Sequence, residues 1–403
     1  MPEADLAANL QTTALAAMLD SGGAHRELAV YRGALTPQEL DAPEQEIAAL
    51  ARGAALHDLG WMRRVAVRGA DRFRWLSGMV TNTVNDLFPN SGAWNLVLNA
   101  QGRIQGDLTV WREGEEQSPQ RRNPAPEGQK NGDHLAGTPF AGESGLELEI
   151  AADQYDKLMA HLNHYIIMDD VELIPLGEEQ VGEAGSETAV GLTGPQAGEV
   201  LERLGLPVLV YPMRGTTVEW NGIDLKLVRG YGALAPHYEF WLPSAALPKL
   251  WSCLRTAGAV PTGCASLEKF RIAEGVPAYG IDMLERDLPQ ETSQMRAIHF
   301  SKGCYLGQEI VERIRSRGNV HRHLRPLELA GPVPVAGTEL LGEDGKPAGQ
   351  ITSAAALPLA QSERVFALAM IRAEAEEADK PFTYAGGQAA GTARILATPP
   401  VLA

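Results

Sequence analysis

The chain has 403 residues, enough for two or three domains that each bury a core of their own. Apolar residues make up 44% and charged residues 21%, ordinary values that exclude wholesale disorder and collagen-like or coiled-coil classes. The formal net charge is −16, from 35 Lys and Arg against 51 Asp and Glu, so the long-range field repels nucleic acid and anionic membranes. We therefore expect no nucleic acid and no membrane among the partners.

The three cysteines, Cys253, Cys264 and Cys304, are too few and too scattered for a disulfide framework or a CxxC zinc site. Such cysteine usage suits a reducing compartment. No stretch approaches the ~18 consecutive apolar residues of a membrane span. No Lys or Arg precedes Arg26, which argues against a secretory signal and an Arg-rich transit peptide. We therefore expect a cytoplasmic protein.

The first 25 residues are predicted to be an N-terminal extension. Residues 6–19 are apolar and Ala-rich, and they predict a helix that ends at Ser21, Gly22 and Gly23. Residues 37–43 predict a loop that enters a helix. Glu44 and Glu46 would then lie in the first helical turn, where the helix dipole favours acidic side chains.

Hydrophobic periodicity and turn residues predict the elements that follow. The predicted strands are residues 65–69, 94–99, 108–111 and 146–150, and the predicted helices are residues 71–76 and 153–168. His161 and His164 lie on the last helix, where a helix surface explains them better than a metal site. Residues 113–145 are rich in Gly, Pro, Glu and Gln, and this composition predicts a disordered insertion.

The pattern changes after Pro326. Short apolar runs there are separated by Gly, Pro and Ser, which is typical of a small all-β domain and favours a barrel. The predicted domains are therefore the extension (residues 1–25), a central region of mixed strands and helices (residues 26–325) and a C-terminal β-barrel (residues 326–403).

Residues 302–313 carry the most informative pattern. Gly303 and Gly307 would permit a tight turn or the close approach of the backbone to a ligand, and a helical pattern follows them. Cys304 would lie just before the helix N-terminus and beside Lys302. The helix dipole and the ammonium group of Lys302 would both favour the thiolate form of Cys304. A small buried cysteine without reactivity is the alternative.

Basic charge concentrates in the same region. Residues 302–325 hold six basic and two acidic residues, a local excess of four positive charges. They are Lys302, Arg313, Arg315, Arg317, Arg322 and Arg325, with Glu309 and Glu312. A carboxylate, a phosphate or a polyglutamate tail would fit this charge. A solvated helix face paired with acidic residues elsewhere is an equally good explanation.

Residues 302–313 resemble the signature K-G-C-[FY]-x-G-Q-E-x-x-x-R of the YgfZ-type folate-binding proteins and match each fixed position. These proteins belong to the superfamily of the glycine-cleavage T-protein, an aminomethyltransferase. The T-protein has a related K-G-x-F-x-G segment without the cysteine. Cys304 therefore separates the YgfZ-type interpretation from that of a T-protein.

Further segments along the chain are similar to the same superfamily. They are residues 56–61 (its early D-L-S-type segment), 75–82 (F-L-x-x-L-x-T-N), 191–197 (G-P-x-A), 238–240 (G-[YF]-E-[IL]), 271–282 (R-[IL]-E-x-G-x-P-x-[YF]-G) and 351–353 (the T-S strand of its barrel). The insertion at residues 113–145 is not part of the pattern.

Three segments depart from the T-protein. Its Asp-Asp pair is reduced to one acid, with Gly106 in the first place and Asp107 in the second. Its A-R-D stretch is matched by residues 265–268, which lack the arginine, and its G-Y-T-G-E-x-G segment survives only as residues 230–232. Aminomethyl transfer would lose parts that it needs, whereas folate binding keeps its central acid in Glu239.

The resemblance implies an α+β, T-protein-like multidomain fold with a folate-binding core and a small C-terminal β-barrel. It implies tetrahydrofolate, or a one-carbon derivative of it, in a central channel between the domains. It implies catalytic roles for Cys304 and Asp107, and cofactor-binding roles for Glu239 (at the pterin edge), Tyr231, Arg271, Lys302 and Arg313.

The function that the resemblance implies is that of a tetrahydrofolate-binding accessory protein for iron–sulfur cluster assembly or repair. Its partners would be folate and iron–sulfur client or assembly proteins. No second cysteine lies near Cys304, so one chain would not ligate a stable four-cysteine cluster. The alternatives are a folate-dependent aminomethyltransferase or other one-carbon transferase, and an interaction protein that has lost the ligand. Whether the chain catalyses a reaction stays open at this point.

Overall fold

A computed structural model describes residues 10–23, 26–114, 145–177, 186–318, 320–376, 380–386 and 389–402. Residues 115–144 of the predicted insertion lie outside the described residues, so its disorder stays a prediction. Residues 1–9 of the predicted extension lie outside them as well.

Within these ranges, strands and short helices alternate along the chain. The strands are β1 (Gln11–Thr12), β2 (Leu28–Tyr31), β3 (Ala34–Pro37), β4 (Ala55–Asp58), β5 (Met62–Arg68), β6 (Ser91–Leu98), β7 (Ile104–Arg112), β8 (Leu146–Ala151), β9 (Glu172–Leu176), β10 (Glu187–Thr193), β11 (Arg214–Trp220), β12 (Ile223–Arg229), β13 (His237–Pro243), β14 (Val260–Thr262), β15 (Arg322–Ala330), β16 (Glu339–Leu341), β17 (Pro347–Pro358), β18 (Glu363–Arg372), β19 (Phe382–Gly386) and β20 (Ala389–Ile395). The α-helices are α1 (Ala14–Ser21), α2 (Pro43–Arg52), α3 (Arg72–Met79), α4 (Ala152–His164), α5 (Ala197–Arg203), α6 (Leu247–Thr256), α7 (Cys264–Glu274) and α8 (Gln308–Arg317).

The helix boundaries follow from local chemistry. Helix α2 begins with Pro43, whose fixed φ suits a first helical position, and has Glu44 and Glu46 in its first turn as predicted. Helix α7 ends at Gly275, whose φ of 74° is a left-handed cap that glycine adopts without strain. Helix α1 ends at Ser21 before Gly22 as predicted, but it begins only at Ala14, and Gln11–Thr12 within the predicted helix form strand β1.

The largest sheet has eleven strands in the order β14-β4-β10-β13-β12-β11-β6-β7-β8-β5-β9. Neighbouring strands are antiparallel except β14 and β4, which are parallel. Strands β11 and β6 meet through the single pair Arg214 and Ser91, so the sheet consists of two halves with a narrow connection. A separate three-stranded sheet has the order β1-β3-β2.

Each half of the large sheet buries its own apolar core. Helices α3 and α4 contribute Leu76 and Leu158 to a core that contains Val65 of β5. Helices α5 and α6 contribute Leu201 and Leu250 to the other core, which is completed by side chains of β10, β12 and β13. Fully burying one such side chain contributes about 1.5–3 kcal/mol, so these two layers hold the sheet halves in place.

The described part of the N-terminal extension packs into the molecule. Leu15 of α1 is fully buried and belongs to the core of β10 and β13. Thr13, which caps α1, donates a short hydrogen bond to the buried carboxylate of Asp58. Residues 10–23 therefore support the core that α5 and α6 form with β10, β12 and β13.

Six C-terminal strands form a closed barrel in the order β15-β18-β17-β16-β19-β20. Its interior is filled by Leu327, Ile351, Ile371 and Phe382, all nearly or fully buried. The first barrel strand begins at Arg322, somewhat before the predicted boundary at residue 326. The predicted α+β class with a C-terminal β-barrel is confirmed.

Cys264 follows residues that are typical of a turn, but in the structure it begins a helix. It is the first residue of α7 and is 6% exposed, and the charges of Asp58 and Glu46 act on its thiol. Burial, reinforced by these carboxylates, raises the pKa of its thiol to about 12. The turn residues before it, Thr262 and Gly263, mark the start of a helix.

Candidate ligand-binding site

A cavity of about 280 Å³ lies where β7, β8 and β13 approach α4 and the start of the segment after α7. This volume is close to the lower limit of about 300 Å³ for small-molecule pockets, so it suits a ring system better than a whole extended ligand. Four of the seven predicted site residues line the cavity: Asp107, Tyr231, Glu239 and Arg271.

Glu239 points into the cavity because alternate residues of a strand face opposite sides. Its neighbours Tyr238 and Phe240 are buried in the core of the sheet, while Glu239 lines the opposite face. Trp241 Nε1 donates a hydrogen bond to Glu239 Oε2 at 3.1 Å, and His237 Nε2 lies 3.5 Å from Oε1. A carboxylate can accept about four hydrogen bonds, so Glu239 keeps acceptor sites for a ligand.

A second carboxyl group, Glu149, lines the same cavity. It is 3% exposed, and within the described ranges neither its Oε1 nor the Nε1 of the nearby Trp111 has a hydrogen-bond partner. Burial, with a further contribution from the charge of Glu239, raises the pKa of Glu149 to about 8, although the charges of Lys226 and Arg64 oppose the rise. This shift favours the protonated form of Glu149, which can donate a hydrogen bond.

Asp107 is held rigidly at the cavity wall. Trp94 Nε1 donates to its Oδ2 at 2.8 Å, and Gln154 Nε2 donates to its Oδ1 at 3.1 Å. The amide oxygen of Gln154 also accepts from Asp107 N at 2.9 Å. The preceding Gly106 faces away from the cavity, because a Cβ there would lie 2.8 Å from Gln154 Oε1 and from Leu158 Cδ2. Of the two places that are acidic in the T-protein, the chain keeps the one that faces the cavity.

Arg271 lines the cavity but is fully engaged by acidic partners. Its guanidinium lies 2.5 Å from Glu268 Oε1 and 2.6 Å from Asp282 Oδ2. Asp282 Oδ1 accepts hydrogen bonds from Thr352 and Ser353 of the barrel at 2.6 and 2.7 Å. The segments that resemble the R-[IL]-E-x-G and T-S motifs thus meet in one network, and Arg271 acts there as a structural residue.

Tyr231 lies on a loop after β12 and is 41% exposed. Glu274, at the end of α7, accepts a hydrogen bond from Leu234 N at 2.9 Å and so fixes the loop. The guanidinium carbon of Arg296 lies 3.6 Å from the centre of the Tyr231 ring and 4.3 Å from that of Trp94. Arg296 also lines the cavity.

Lys302, predicted to bind the cofactor, is not brought to the cavity. Its ammonium donates to the main-chain oxygens of Ser77, Val80 and Asn82 at 2.9, 2.6 and 2.7 Å, at and just beyond the end of α3. These three bonds satisfy an ammonium group completely. These contacts give Lys302 a structural role at a helix C-terminus, and its cofactor contact stays a prediction.

Cys304 and Arg313 are both exposed and lie outside the cavity lining. Within the described residues, the basic stretch is largely paired with acids rather than gathered around a pocket. Arg322 contacts Asp287 and Glu291, Arg325 contacts Glu376, and Arg315 contacts Glu312. These contacts agree better with the interpretation that the basic residues pair with acidic residues of the protein than with the interpretation that they form an anion-binding site.

The two glycines of the K-G-C-Y-x-G segment differ in their roles. Gly307 has a φ of 80°, and a Cβ there would lie 2.5 Å from the oxygen of Asn99 and 2.9 Å from Gly102 Cα. It therefore packs directly on the turn between β6 and β7, the hairpin that carries Asp107. A Cβ on Gly303 would meet no atom within 4 Å.

A buried charge cluster adjoins the cavity through Trp111, which lines both. Glu147, on the same face of β8 as Glu149, contacts the cationic groups of Arg64 and Lys226. Arg64 also pairs with Glu187 at 2.9 Å. These ion pairs neutralise Glu147, whereas Glu149 has no such partner at contact distance in the described chain.

Sequence reasoning missed Glu149, Trp111, Trp94 and Arg296. The alternating residues 146–150 predicted strand β8 correctly, but such a pattern usually places its glutamates in solvent. Both faces of β8 are buried in the structure, which turns its polar face into the wall of the cavity. The possible metal site at His161 has no support, since the described residues contain no group of three or more metal-ligating side chains.

Comparisons with known proteins agree with this architecture. Residues 11–118 match the family described as the GCVT N-terminal domain. The chain is 24% identical over 325 residues to the Arabidopsis thaliana protein named "Putative transferase At1g60990, chloroplastic", covering 78% of this chain and 65% of that relative. It is 26% identical over 310 residues to an aminomethyltransferase of Rubrobacter xylanophilus, covering 76% and 73%. The chain thus spans about two thirds to three quarters of the length of these relatives.

A solved structure has the same fold. The glycine cleavage system aminomethyltransferase T of Bartonella henselae superposes with a TM-score of 0.79 at 18% identity, covering 98% of this chain and 99% of that one. The predicted T-protein-like fold is therefore confirmed, and the matches together support the T-protein superfamily. In the part of the chain that the structure describes, no helix is long and apolar enough to cross a membrane.

Proposed function

We propose that this chain is a tetrahydrofolate-binding accessory protein for iron–sulfur cluster assembly or repair. The observation that carries the folate part is a pair of carboxyl groups, the half-buried Glu239 and the buried Glu149, in a cavity walled by tryptophans. The cofactor is tetrahydrofolate or a one-carbon derivative of it. The cavity holds its bicyclic pterin ring.

The polar groups of the cavity fit a pterin. One edge of that ring carries an amide N–H and an amino group, which donate, beside a carbonyl oxygen, which accepts. Glu239 accepts from the two donors in a charge-assisted pair, and the protonated Glu149 donates to an acceptor. Binding of the ring also gives a partner to buried polar atoms, Glu149 Oε1 and Trp111 Nε1, that have none within the described protein.

Asp107 supplies a fixed carboxylate beside the ring. Because Trp94 and Gln154 hold both of its oxygens, its position is set before a ligand arrives. A carboxylate so placed accepts a proton from a ring nitrogen or stabilises positive charge on a one-carbon unit. The folate supplies the one-carbon chemistry, and Asp107 holds or moves the proton.

The iron–sulfur part of the proposal is supported by Cys304. The thiol is exposed and lies outside the cavity, so a partner protein can reach it. The partners are iron–sulfur client or assembly proteins, and the proposed compartment is the reducing cytoplasm. Cys304 acts there on a group delivered by a partner.

A folate-dependent aminomethyltransferase is the second candidate. The relatives named as aminomethyltransferases and the retained, cavity-facing Asp107 favour it. The altered segments at residues 230–232 and 265–268 and the cysteine of the K-G-C segment oppose it.

Two assays separate these functions. Calorimetric titration with 5-formyltetrahydrofolate should show one site per chain, and absence of heat and of a thermal shift would overturn folate binding. Deletion of the gene should lower the activity of iron–sulfur enzymes in the cell and should not abolish glycine cleavage. Turnover of glycine with a partner lipoyl protein and normal iron–sulfur enzymes in the deletion strain would establish the aminomethyltransferase instead.

A further inference from the structure

Arg296 is a half-buried cation of the cavity wall that its own chain, within the described residues, leaves without an acidic partner. Within the described residues, its guanidinium makes one hydrogen bond, from Nε to the side-chain oxygen of Gln294 at 3.2 Å. The contrast with Arg271 is clear, because Arg271 in the same cavity has two carboxylates within 2.6 Å. The carboxylates whose charges act on the pKa of Arg296 are those of Glu274 and Asp107. Among the described residues, neither forms an ion pair with it.

The protein nevertheless fixes Arg296 in one place. Its guanidinium lies 4.3 Å from the centre of the Trp94 ring and 3.6 Å from that of Tyr231. The side-chain amide of Asn82 donates to the main-chain oxygens of both Trp94 and Arg296, at 3.0 and 2.8 Å. The aromatic rings and this amide therefore hold the guanidinium while its terminal nitrogens stay available at the cavity wall.

From this geometry we infer that Arg296 is a binding residue for a carboxylate group of the molecule or molecules that occupy the cavity. A planar guanidinium held by two rings presents two parallel N–H groups, and the bidentate partner that matches them is a carboxylate. Even partial burial of a charge without an acidic partner is unfavourable, and a ligand carboxylate would offset that cost for Arg296. The inference rests on the proposed function for the identity of the ring beside it.

The carboxylate can come from two sources. It can belong to the glutamate tail of the folate, or to a second, small acid that exchanges a one-carbon unit. Three probes distinguish them: 5-formyltetrahydrofolate, which carries carboxylates, 6-methyltetrahydropterin, which carries none, and acetate, which is a carboxylate alone.

The test compares the wild-type protein with Arg296→Gln. If the tail is the source, the variant should bind 5-formyltetrahydrofolate about 10- to 100-fold more weakly and 6-methyltetrahydropterin nearly unchanged. If a second acid is the source, both pterins should bind equally to the two proteins. Acetate should then bind the pterin-saturated wild type and not the variant.

Two further variants control for charge and for packing. Arg286→Gln removes the same charge from an exposed position outside the cavity and should alter no affinity. Arg296→Lys keeps the positive charge but lacks the planar guanidinium with its paired N–H donors. It should therefore recover only part of the affinity for the carboxylate-bearing probe. The melting temperature of ligand-free Arg296→Gln should stay close to that of the wild type, because the variant removes a half-buried charge without an acidic partner but also loses its contacts with the rings of Trp94 and Tyr231.

Equal losses for both pterins would overturn the inference, since Arg296 would then only shape the ring pocket. Unchanged binding of both pterins together with unchanged acetate binding would also overturn it. Failure of the wild type to bind either pterin would instead overturn the proposed folate function, and titration of the ligand-free wild type and Arg296→Gln with acetate would still test Arg296.

Discussion

Arg271 and Asp282 form an ion pair at 2.6 Å that connects the cavity wall to the C-terminal barrel. The Asp282 side chain is fully buried, and its other oxygen accepts hydrogen bonds from Thr352 and Ser353 of β17. One carboxylate therefore fixes both a cavity residue and the docking of the barrel. The barrel contributes to the site through this contact without lining the cavity.

Asp282→Ala should destabilise the whole protein. Removing one partner of a buried ion pair costs about 3–5 kcal/mol, because the other partner keeps its buried charge. Urea denaturation should show this loss in the free energy of unfolding. Asp344→Ala is the matched control, since Asp344 forms an exposed pair with Lys346, and it should change stability little. A wild-type midpoint for Asp282→Ala would show that the barrel docks by its apolar contacts alone.

The pKa of Glu149, raised to about 8 by burial and by Glu239, predicts a pH dependence of stability. Between the ordinary value of 4.5 and about 8, the folded protein holds a proton that the unfolded chain has lost. Stability should therefore decline as pH rises through this window, by up to ~1.4 kcal/mol per pH unit, and level off above it.

Glu149→Gln should remove this decline, because a neutral amide does not titrate. The difference in unfolding free energy between variant and wild type should grow across the window in favour of the variant. Glu219→Gln, at an exposed position of β11, should keep the wild-type slope. Parallel curves for wild type and Glu149→Gln would show that Glu149 is ionised in the folded state.

The two glycines of the K-G-C-Y-x-G segment should respond differently to alanine. Gly307→Ala forces a Cβ against Asn99 and strains a left-handed residue, so it should cost about 1–3 kcal/mol in stability. Gly303→Ala meets open space and should be tolerated. Thermal unfolding of both variants measures the difference. An equal effect of the two substitutions would mean that the turn of Asn99 moves aside.

Cys304 should be the first cysteine to react with iodoacetamide near neutral pH. It is exposed, whereas Cys253 is half-buried and Cys264 is buried with its pKa raised to about 12. Mass spectrometry of briefly labelled protein should find the adduct on Cys304. Labelling of Cys264 at a similar rate would contradict the buried position of α7.

A second experiment on Cys304 concerns function. Cys304→Ser should fail to restore iron–sulfur enzyme activity in a deletion strain, while its affinity for folate stays close to that of the wild type, because the thiol lies outside the cavity. Full complementation by the serine variant would make Cys304 a residue without a chemical role.

Motifs with local geometry could be predicted from the sequence. Helix α2 with its first-turn acids, the hairpin around Asn99 and the C-terminal barrel follow from caps, turns and periodicity, and the structure has them. Four of the seven predicted site residues line the cavity, and these were expected from the resemblance of their segments to a known fold and not from local geometry.

The remaining features depend on tertiary contacts that no local pattern encodes. Lys302 was expected to meet a ligand, but the end of α3, more than 200 positions away in sequence, supplies its acceptors. The alternating pattern of residues 146–150 predicted a strand with its glutamates in solvent, but both faces of β8, including the one that carries Glu149, are buried in the structure. Cys264 followed turn residues, and the helix that begins there is packed against Asp58 and Glu46.

The central claim is that the Glu239 carboxylate recognises the pterin ring, and titration of Glu239→Gln with 5-formyltetrahydrofolate tests it most directly. The substitution keeps the size of the side chain and removes the charge, so a loss of ~1.5–3 kcal/mol, or about 10- to 150-fold in affinity, is expected. Glu219→Gln should bind like the wild type. An affinity of Glu239→Gln equal to that of the wild type, in a folded protein, would contradict the account and place the pterin elsewhere.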